Sequence, residues 1–369
     1  MSLKAGIVGL PNVGKSTLFN AITNSHVEAA NYPFATINPN TGVVVVPDER
    51  LDFLTEMFHP LRKVNATFEF YDIAGLVKGA SHGEGLGNQF LAAIRECDAI
   101  CEVVRCFESS EIIHVENSVD PARDIDTINL ELAMSDLESV QNRIAKQGIK
   151  ARVAHDKVAA YEMAILDPLA KTLGEGRPAR LISGLSAEQI DYAKKNFFLL
   201  TLKPIIYVAN VADSDYTDLE SCKHYQTVRK IADSEGAQCI PVSCQIEYEI
   251  SQLKPTERKE FLETIGASES GLDKLVKAAY RLLNLSTFFT CGKDECRAWT
   301  FKNGMSAPEC AGIIHTDFQK GFIKAECYDF EELRKLGSEA AVKEAGRLRM
   351  EGKDYLMKDG DVVFFRFNV

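Results

Sequence analysis

The chain opens on an apolar run, Lys4 to Gly9, that is too short for a helix and reads as a buried strand. Helical spacing follows over Lys15 to Thr23. Thr67 to Tyr71 alternates, with recurring aromatic residues, and predicts a second strand. Apolar runs at Asp98 to Cys106, Lys203 to Asn210 and Ala237 to Val242 predict three more. Ser270 to Leu283 predicts a helix with Leu272, Leu275, Val276, Ala279 and Leu283 on one side. Strands separated by helical segments imply an α/β fold with a mostly parallel sheet.

Nearly a hundred residues lie between Cys106 and Lys203, far more than one crossover helix needs. Within them Leu130, Leu137 and Ile144 recur every seven residues, with Ala133 and Val140 on the adjacent row. Val158, Tyr161, Ile165 and Leu169 form a second stripe. The Gln147-Gly148 step is expected to break the two runs into an antiparallel pair, and Gly174 to Pro178 to close the second. Beyond Leu285 the pattern changes to short strands, Gly turns and one helix near Phe330 to Leu336, ending in an alternating strand, Asp361 to Phe367. That mixture suits a β-grasp. The expected bounds are 1–125 and 200–284 for the α/β domain, 126–199 for the helical insertion and 285–369 for the last domain.

A content of 46% hydrophobic and 26% charged residues is ordinary for a globular chain. No apolar run is long enough to span a bilayer, and a motif occupies the first strand where a signal peptide would lie, so a cytoplasmic protein is expected. A net charge of −11 gives no long-range steering toward nucleic acid, so any RNA contact must be local. The last 85 residues carry 8 Lys and 5 Arg against 6 Asp and 8 Glu. Basic residues there interleave with aromatics: Lys293, Arg297 and Lys302 flank Trp299, and His315, Lys320 and Lys324 surround Phe318 and Phe322. A solvated sheet face is the plainer reading of that pattern. Of the ten cysteines, Cys97, Cys101 and Cys106 lie in apolar sequence, and Cys291 with Cys296 has no second pair to complete a tetrahedral site. Free buried thiols and no zinc are expected.

The chemistry is concentrated where the first strand meets the first helix. Gly9-Leu10-Pro11-Asn12-Val13-Gly14-Lys15-Ser16 is a Walker A loop at the strand-to-helix turn the motif requires. Glycines let backbone N–H groups face a β-phosphate, and the helix N-terminus adds its positive end. Lys15 reaches the phosphates, and Ser16 offers magnesium a hydroxyl. The second strand delivers Asp72-Ile73-Ala74-Gly75 at its C-terminal end, where α/β sheets place ligands. Asp72 would hold Mg2+ through water, and the Gly75 N–H would meet the γ-phosphate. Thr36, closing Asn31-Tyr32-Pro33-Phe34-Ala35-Thr36, would supply a second magnesium hydroxyl. A nucleoside triphosphate site is implied, with metal ligands Ser16, Thr36 and Asp72.

These segments resemble the translation-factor class of GTPases and, within it, the Obg-like ATPases of the YchF family. The resemblance rests on GLPNVGKSTLFNA at Gly9 to Ala21, ANYPFATINPNTG at Ala30 to Gly42 and DIAGLVKGASHGEGLGNQFLAAIR at Asp72 to Arg95. It continues through VVRCFE at Val103 to Glu108, YVANVAD at Tyr207 to Asp213 and RAWTF at Arg297 to Phe301, and so spans essentially the whole chain. It implies a P-loop G domain, an inserted coiled-coil hairpin and a C-terminal TGS domain. It also implies slow ATP hydrolysis with Mg2+, and contact with the ribosome or large-subunit RNA, with stress-related proteins as further candidate partners.

Base recognition and catalysis both depart from the GTPase pattern. An Asn-Lys-x-Asp run reads guanine, the carboxylate accepting N1–H and the exocyclic amine. Here the run is Asn210-Val211-Ala212-Asp213. Val211 removes the lysine, while Asp213 keeps the guanine-type acceptor. Facing adenine, that carboxylate would be left unpaired at a cost of roughly 1 to 3 kcal/mol. Residue chemistry therefore leans to GTP, whereas the resemblance implies ATP with GTP tolerated, even though the family more often has Glu at this position. Ser243 would approach the base edge. The nucleotide set is thus Asn12, Val13, Gly14, Lys15, Ser16, Thr17, Gly75, Asn210, Val211, Asp213 and Ser243. The glutamine that orients water in Ras-like enzymes is replaced by Leu76. His82 and His114 are the candidate replacements. A lone His in Ile112-Ile113-His114-Val115 is ordinarily structural, but the resemblance assigns the catalytic role to His114. It also likens Asn12 to an Asn that binds K+ in glutamine-less GTPases. Two functions remain open: a slow ATPase switch, or a non-hydrolysing nucleotide sensor acting as a protein-binding adaptor.

Overall fold

The computed structural model describes residues 3–24, 40–73, 86–153 and 156–368. The chain begins with β1 (Lys4–Val8), α1 (Lys15–Asn24), β2 (Thr41–Val45), α2 (Glu49–Phe58), β3 (Arg62–Val64), β4 (Thr67–Asp72), α3 (Leu86–Arg95) and β5 (Ala99–Arg105). Three helices follow: α4 (Pro121–Val153), α5 (Lys157–Gly174) and α6 (Ala187–Asn196). Then come β6 (Ile205–Asn210), α7 (Lys223–Glu235), β7 (Gln238–Val242), α8 (Cys244–Gln252), α9 (Pro255–Thr264) and α10 (Gly271–Leu282). The last stretch holds β8 (Leu285–Cys291), β9 (Glu295–Lys302), α11 (Ala307–Ile314), α12 (Thr316–Lys320), β10 (Phe322–Asp329), α13 (Phe330–Leu336), α14 (Glu339–Glu344), β11 (Arg349–Glu351) and β12 (Asp361–Phe367). Two compact units result, with Val43–Phe68 and Val276–Val369 grouped in the second.

The first sheet has the order β2-β4-β1-β5-β6-β7, and β1 pairs parallel with both β4 and β5. β5 and β6 are buried at every residue, which is why their sequences read as mostly apolar runs rather than alternating ones, with Glu102, Arg105 and Asn210 as the polar exceptions. Their C-terminal ends lie together with the end of β1, so the loops leaving all three gather at one edge of the sheet.

Helices α4 and α5 pack antiparallel: Arg143 of α4 meets Glu162 of α5, while Leu130 comes against Gly176, just past the end of α5. The expected break at Gln147-Gly148 does not occur. α4 runs through it to Val153, because a single glycine costs a helix only about 1 kcal/mol and nothing crowds Gly148. The seam is Ala133 and Val140 against Ile165, Leu166, Leu169 and Leu173, with Leu137 and Ile144 beside it. Leu130 and Val158 are exposed, since Leu130 lies beyond the reach of α5 and Val158 sits in its first turn. A buried carboxylate locks the pair. Glu162 accepts both arms of Arg143 (2.7 and 3.1 Å), the Gln147 amide and the Tyr192 hydroxyl, and Arg143 holds it below the usual carboxylate range.

The second unit is built on a mixed sheet of order β11-β10-β12-β8-β9-β3, with β12 and β8 parallel at its centre. α13 and β12 fall where the sequence places them. Three more short helices, α11, α12 and α14, were not expected, and β3 arrives from far upstream in the chain. Of the two basic and aromatic clusters, the one around Phe322 is largely core, while in the other Trp299 is half-buried with the Arg297 guanidinium 4.1 Å over its ring. Trp299 lies near-parallel to Phe288 and donates its indole N–H to Thr290 (2.9 Å). Phe322 is buried, and Phe318 stacks on Phe367 with ring centroids 3.8 Å apart. The exposed aromatic on the central strand is Phe364 instead, with the Arg366 guanidinium 4.3 Å over its ring.

Candidate nucleotide site

The loop between β1 and α1 is held by its glycines and by one asparagine. Gly14 has φ +103°, and a Cβ there would lie 2.2 Å from the Asn210 amide nitrogen. Gly9, at φ +156°, would press one to 2.6 Å from the Val103 carbonyl. Neither position admits a side chain. Asn210, buried at the end of β6, donates to the Val13 carbonyl (2.8 Å) and accepts from the Cys244 N–H (3.0 Å). Three separate segments are thereby braced at the sheet edge, and Asn210 itself is spent on bracing rather than aimed at a base.

A cavity of about 540 Å³ opens at that edge. It brings together Asn12, Gly14, Lys15, Ser16 and Thr17 of the loop with Asn210, Val211, Asp213 and Ser243, as the sequence places them. Lys15 is buried, and its ammonium folds back onto the Leu10 carbonyl (2.7 Å). Burial lowers its pKa to about 8, against the opposing pull of Asp72. Asp72 stands at the end of β4; burial raises its pKa and Lys15 opposes that rise. At the other end of the cavity the Ser243 hydroxyl donates to the Asp213 carboxylate and accepts from the Ile246 N–H, while Val211 presents an apolar wall. Thr36, Gly75, Leu76 and His82 lie outside the described residues.

His114 does not line the cavity. It is buried, with Nε2 2.8 Å from Asp124 Oδ2, and its Nδ1 accepts the Glu116 N–H (3.1 Å). Because Nδ1 is an acceptor, the proton sits on Nε2 and is donated to Asp124, so the ring is neutral and fully occupied. Its neighbours are reversed from what their polarity asks. Ile113 is 73% exposed and Val115 51%, while the histidine between them is 4% exposed. The segment is tied to the phosphate loop by the Asn12 amide, which donates to the Ile113 carbonyl (3.1 Å).

Phe107, Glu108, Ser109, Ile112, Cys244 and Gln245 also line the cavity and were not singled out by sequence. Cys244 and Gln245 directly follow Ser243, so adjacency was a usable signal; the 107–112 stretch has no phosphate-binding or base-reading pattern.

Comparison with known proteins now bears on this geometry. Residues 4–144 match the family of 50S ribosome-binding GTPases, and residues 285–368 match a family described as a protein of unknown function (DUF933), the C-terminal domain of YchF GTPases. The ribosome-binding ATPase YchF of Bacillus subtilis (strain 168) is 53% identical over 100% of both chains. The chain belongs to the YchF family. The YchF of Escherichia coli O157:H7, also named a ribosome-binding ATPase, is 51% identical over 100% of both chains. A solved structure of the Schizosaccharomyces pombe YchF GTPase superposes with a TM-score of 0.89 at 40% identity, covering 99% of this chain and 98% of that one. The fold is therefore that of YchF, a GTPase-type domain followed by the YchF C-terminal domain.

The helix that leaves the base end of this YchF site carries a pH-sensitive anchor. Glu247 of α8 is buried and accepts the Gly271 N–H (2.7 Å), and burial lifts its pKa to about 7. Raised above the ordinary value near 4.5, the group contributes stability that is complete below that value and is lost as pH rises through about 7. Glu247→Gln is expected to flatten the fall in melting temperature between pH 5 and pH 8, with the variant gaining on wild type at the upper end. Thermal melts at the two pH values check it.

Proposed function

We propose that this chain is a Mg2+-dependent ATPase of the YchF family whose nucleotide state governs its association with the ribosome. The observation that carries the reading is the braced phosphate loop: Gly14 pressed against Asn210, and Lys15 resting on a loop carbonyl that a β- or γ-phosphate would replace. The relatives' names supply ATP hydrolysis and the ribosome. A ribosome partner supports a cytoplasmic location. Among the described residues, no helix is long and apolar enough to cross a membrane.

Magnesium fits the donors present. The cation keeps most of its waters, takes phosphate oxygens and needs only one or two protein groups. Ser16 is exposed at the start of α1, and the Asp72 carboxyl stands beside Lys15. Among the described residues no three His, Cys, Asp or Glu side chains converge, so a site made wholly of protein ligands is not offered. When bound, Mg2+ neutralises phosphate charge, and Thr36 would add a hydroxyl. Asn12 would offer a K+ ion its side-chain oxygen, which is not the atom engaged with Ile113, since the amide N–H makes that bond.

The base reading is ATP, with GTP admitted. Asp213 is exposed and already accepts from Ser243, so part of its hydrogen-bonding demand is met without a guanine. The unpaired-carboxylate cost that argued for GTP is correspondingly smaller. For hydrolysis, His114 is the water-positioning group and His82 the second candidate. Nδ1 is the nitrogen that can accept from water, in exchange for the Glu116 N–H, and Asp124 then keeps the proton on Nε2.

Ribosome contact falls on the open face of the TGS sheet, where Phe364 is 55% exposed under Arg366, beside Lys324 and Met350. An aromatic face bounded by cationic side chains takes an unpaired RNA base. Stacking contributes about 1 to 3 kcal/mol per base, so Phe364→Ala with Arg366→Ala is expected to weaken ribosome binding about tenfold and to reduce its salt dependence. Cosedimentation of the full chain with ribosomes, with ATP and with ADP, is the test. A double variant that sediments like wild type would remove this face, and binding indifferent to nucleotide would remove the switch.

A further inference from the structure

Arg105, the last residue of β5, is 1% exposed, and no carboxylate among the described residues forms a salt bridge with it. Its neighbours Val103 and Val104 fill the same strand with plain aliphatic groups. Burying a guanidinium is costly unless its N–H groups are satisfied, so a position that needed only volume would carry a third apolar residue. Arg105 spends its donors on one stretch of chain. Nε–H donates to the Phe107 carbonyl and Nη1–H to the Ile112 carbonyl, both at 3.0 Å, and the guanidinium lies 4.5 Å over the Phe107 ring. Two carbonyls five residues apart are thus closed onto one planar fork, which bends 107–112 into an arch. A fork with fixed spacing does this; a lysine's point charge would hold one side at a time.

Both feet of the arch reach the nucleotide site. Phe107 and Ile112 line the cavity, while the chain leaving Ile112 passes through Ile113, tied to Asn12, directly into His114. We infer that Arg105 is a positioning residue for hydrolysis: it shapes the arch so that the wall touching the nucleotide and the segment carrying His114 move as one piece. Arg105 itself does not line the cavity, so it acts through the arch rather than on the phosphates. The inference rests on the proposed role of His114.

The test is a double-mutant cycle in single-turnover ATP hydrolysis by the full chain, with ATP affinity measured separately. Arg105→Met is expected to lower hydrolysis tenfold or more while ATP affinity falls by less than threefold, and Arg105→Lys to recover part of the loss. The decisive variant is Arg105→Met with His114→Ala. If Arg105 works through His114, the double variant hydrolyses within twofold of His114→Ala alone. Losses that multiply, or wild-type turnover in Arg105→Met, would overturn the inference while leaving His114 in place. Full turnover in His114→Ala would overturn the His114 reading and this inference with it. Thermal melts check folding, and if Arg105→Met does not fold, the same cycle run with Arg105→Lys decides by the same criteria.

Discussion

Lys15→Ala is expected to lower ATP affinity at least a hundredfold, about 2.8 kcal/mol, with the fold intact. The ammonium is the one cation of the phosphate loop, buried at the cavity wall and, among the described residues, hydrogen-bonded to the Leu10 carbonyl. Trading that carbonyl for phosphate oxygens converts a neutral acceptor into a charged one, and charge-assisted bonds are roughly twice as strong. Without a phosphate partner, by contrast, Lys15 is a burden, since burial lowers its pKa to about 8 even against the pull of Asp72. Removing it therefore spares the nucleotide-free protein a desolvated cation, and the variant should melt no lower than wild type. Ser16→Ala should show a loss that depends on Mg2+. Wild-type affinity in Lys15→Ala, measured by equilibrium titration with Mg2+ present, would contradict the site.

His114→Ala has the second large effect, a fall in hydrolysis of about 10² with ATP affinity nearly unchanged. Affinity is spared because His114 does not line the cavity. Hydrolysis is lost because the apolar Leu76 cannot orient water and Asp124 has no ring left to hold. The variant is also expected to lose about 1 to 3 kcal/mol of stability, the usual consequence of breaking a buried hydrogen bond, although Asp124 keeps Arg123 as a partner at 3.0 Å. Loss of the same size in His82→Ala, with His114→Ala unaffected, would move the role to His82.

Much of the phosphate end was legible because backbone geometry dictates its residues. Only glycine fits at Gly9 and Gly14, and the loop must follow a strand and open a helix, so spacing alone carried Lys15 and Ser16. Buried parallel strands were equally plain, as β5 and β6 are mostly apolar, Glu102, Arg105 and Asn210 excepted. The arch was not legible: Arg105 acts by donating to carbonyls, which any sequence supplies, and a single buried arginine has no periodicity. Aromatic residues misled for a related reason. Phe322 carries basic neighbours in sequence, but on a strand successive residues face opposite ways, so its ring fills the core, while Trp299 is half-buried under Arg297 and Phe364 is left outside. The helical pair was correctly divided into two runs but broken in the wrong place, because a single glycine such as Gly148 weakens a helix without ending it.

Single-turnover hydrolysis of ATP bound to the purified chain, with Mg2+ and K+ present, tests the central claim most directly. The account predicts that phosphate is released from the bound ATP, slowly, and that His114→Ala retains the bound ATP while releasing phosphate about a hundredfold more slowly. Bound ATP that stays intact in the wild-type protein would contradict it, and would leave a nucleotide sensor in place of an ATPase.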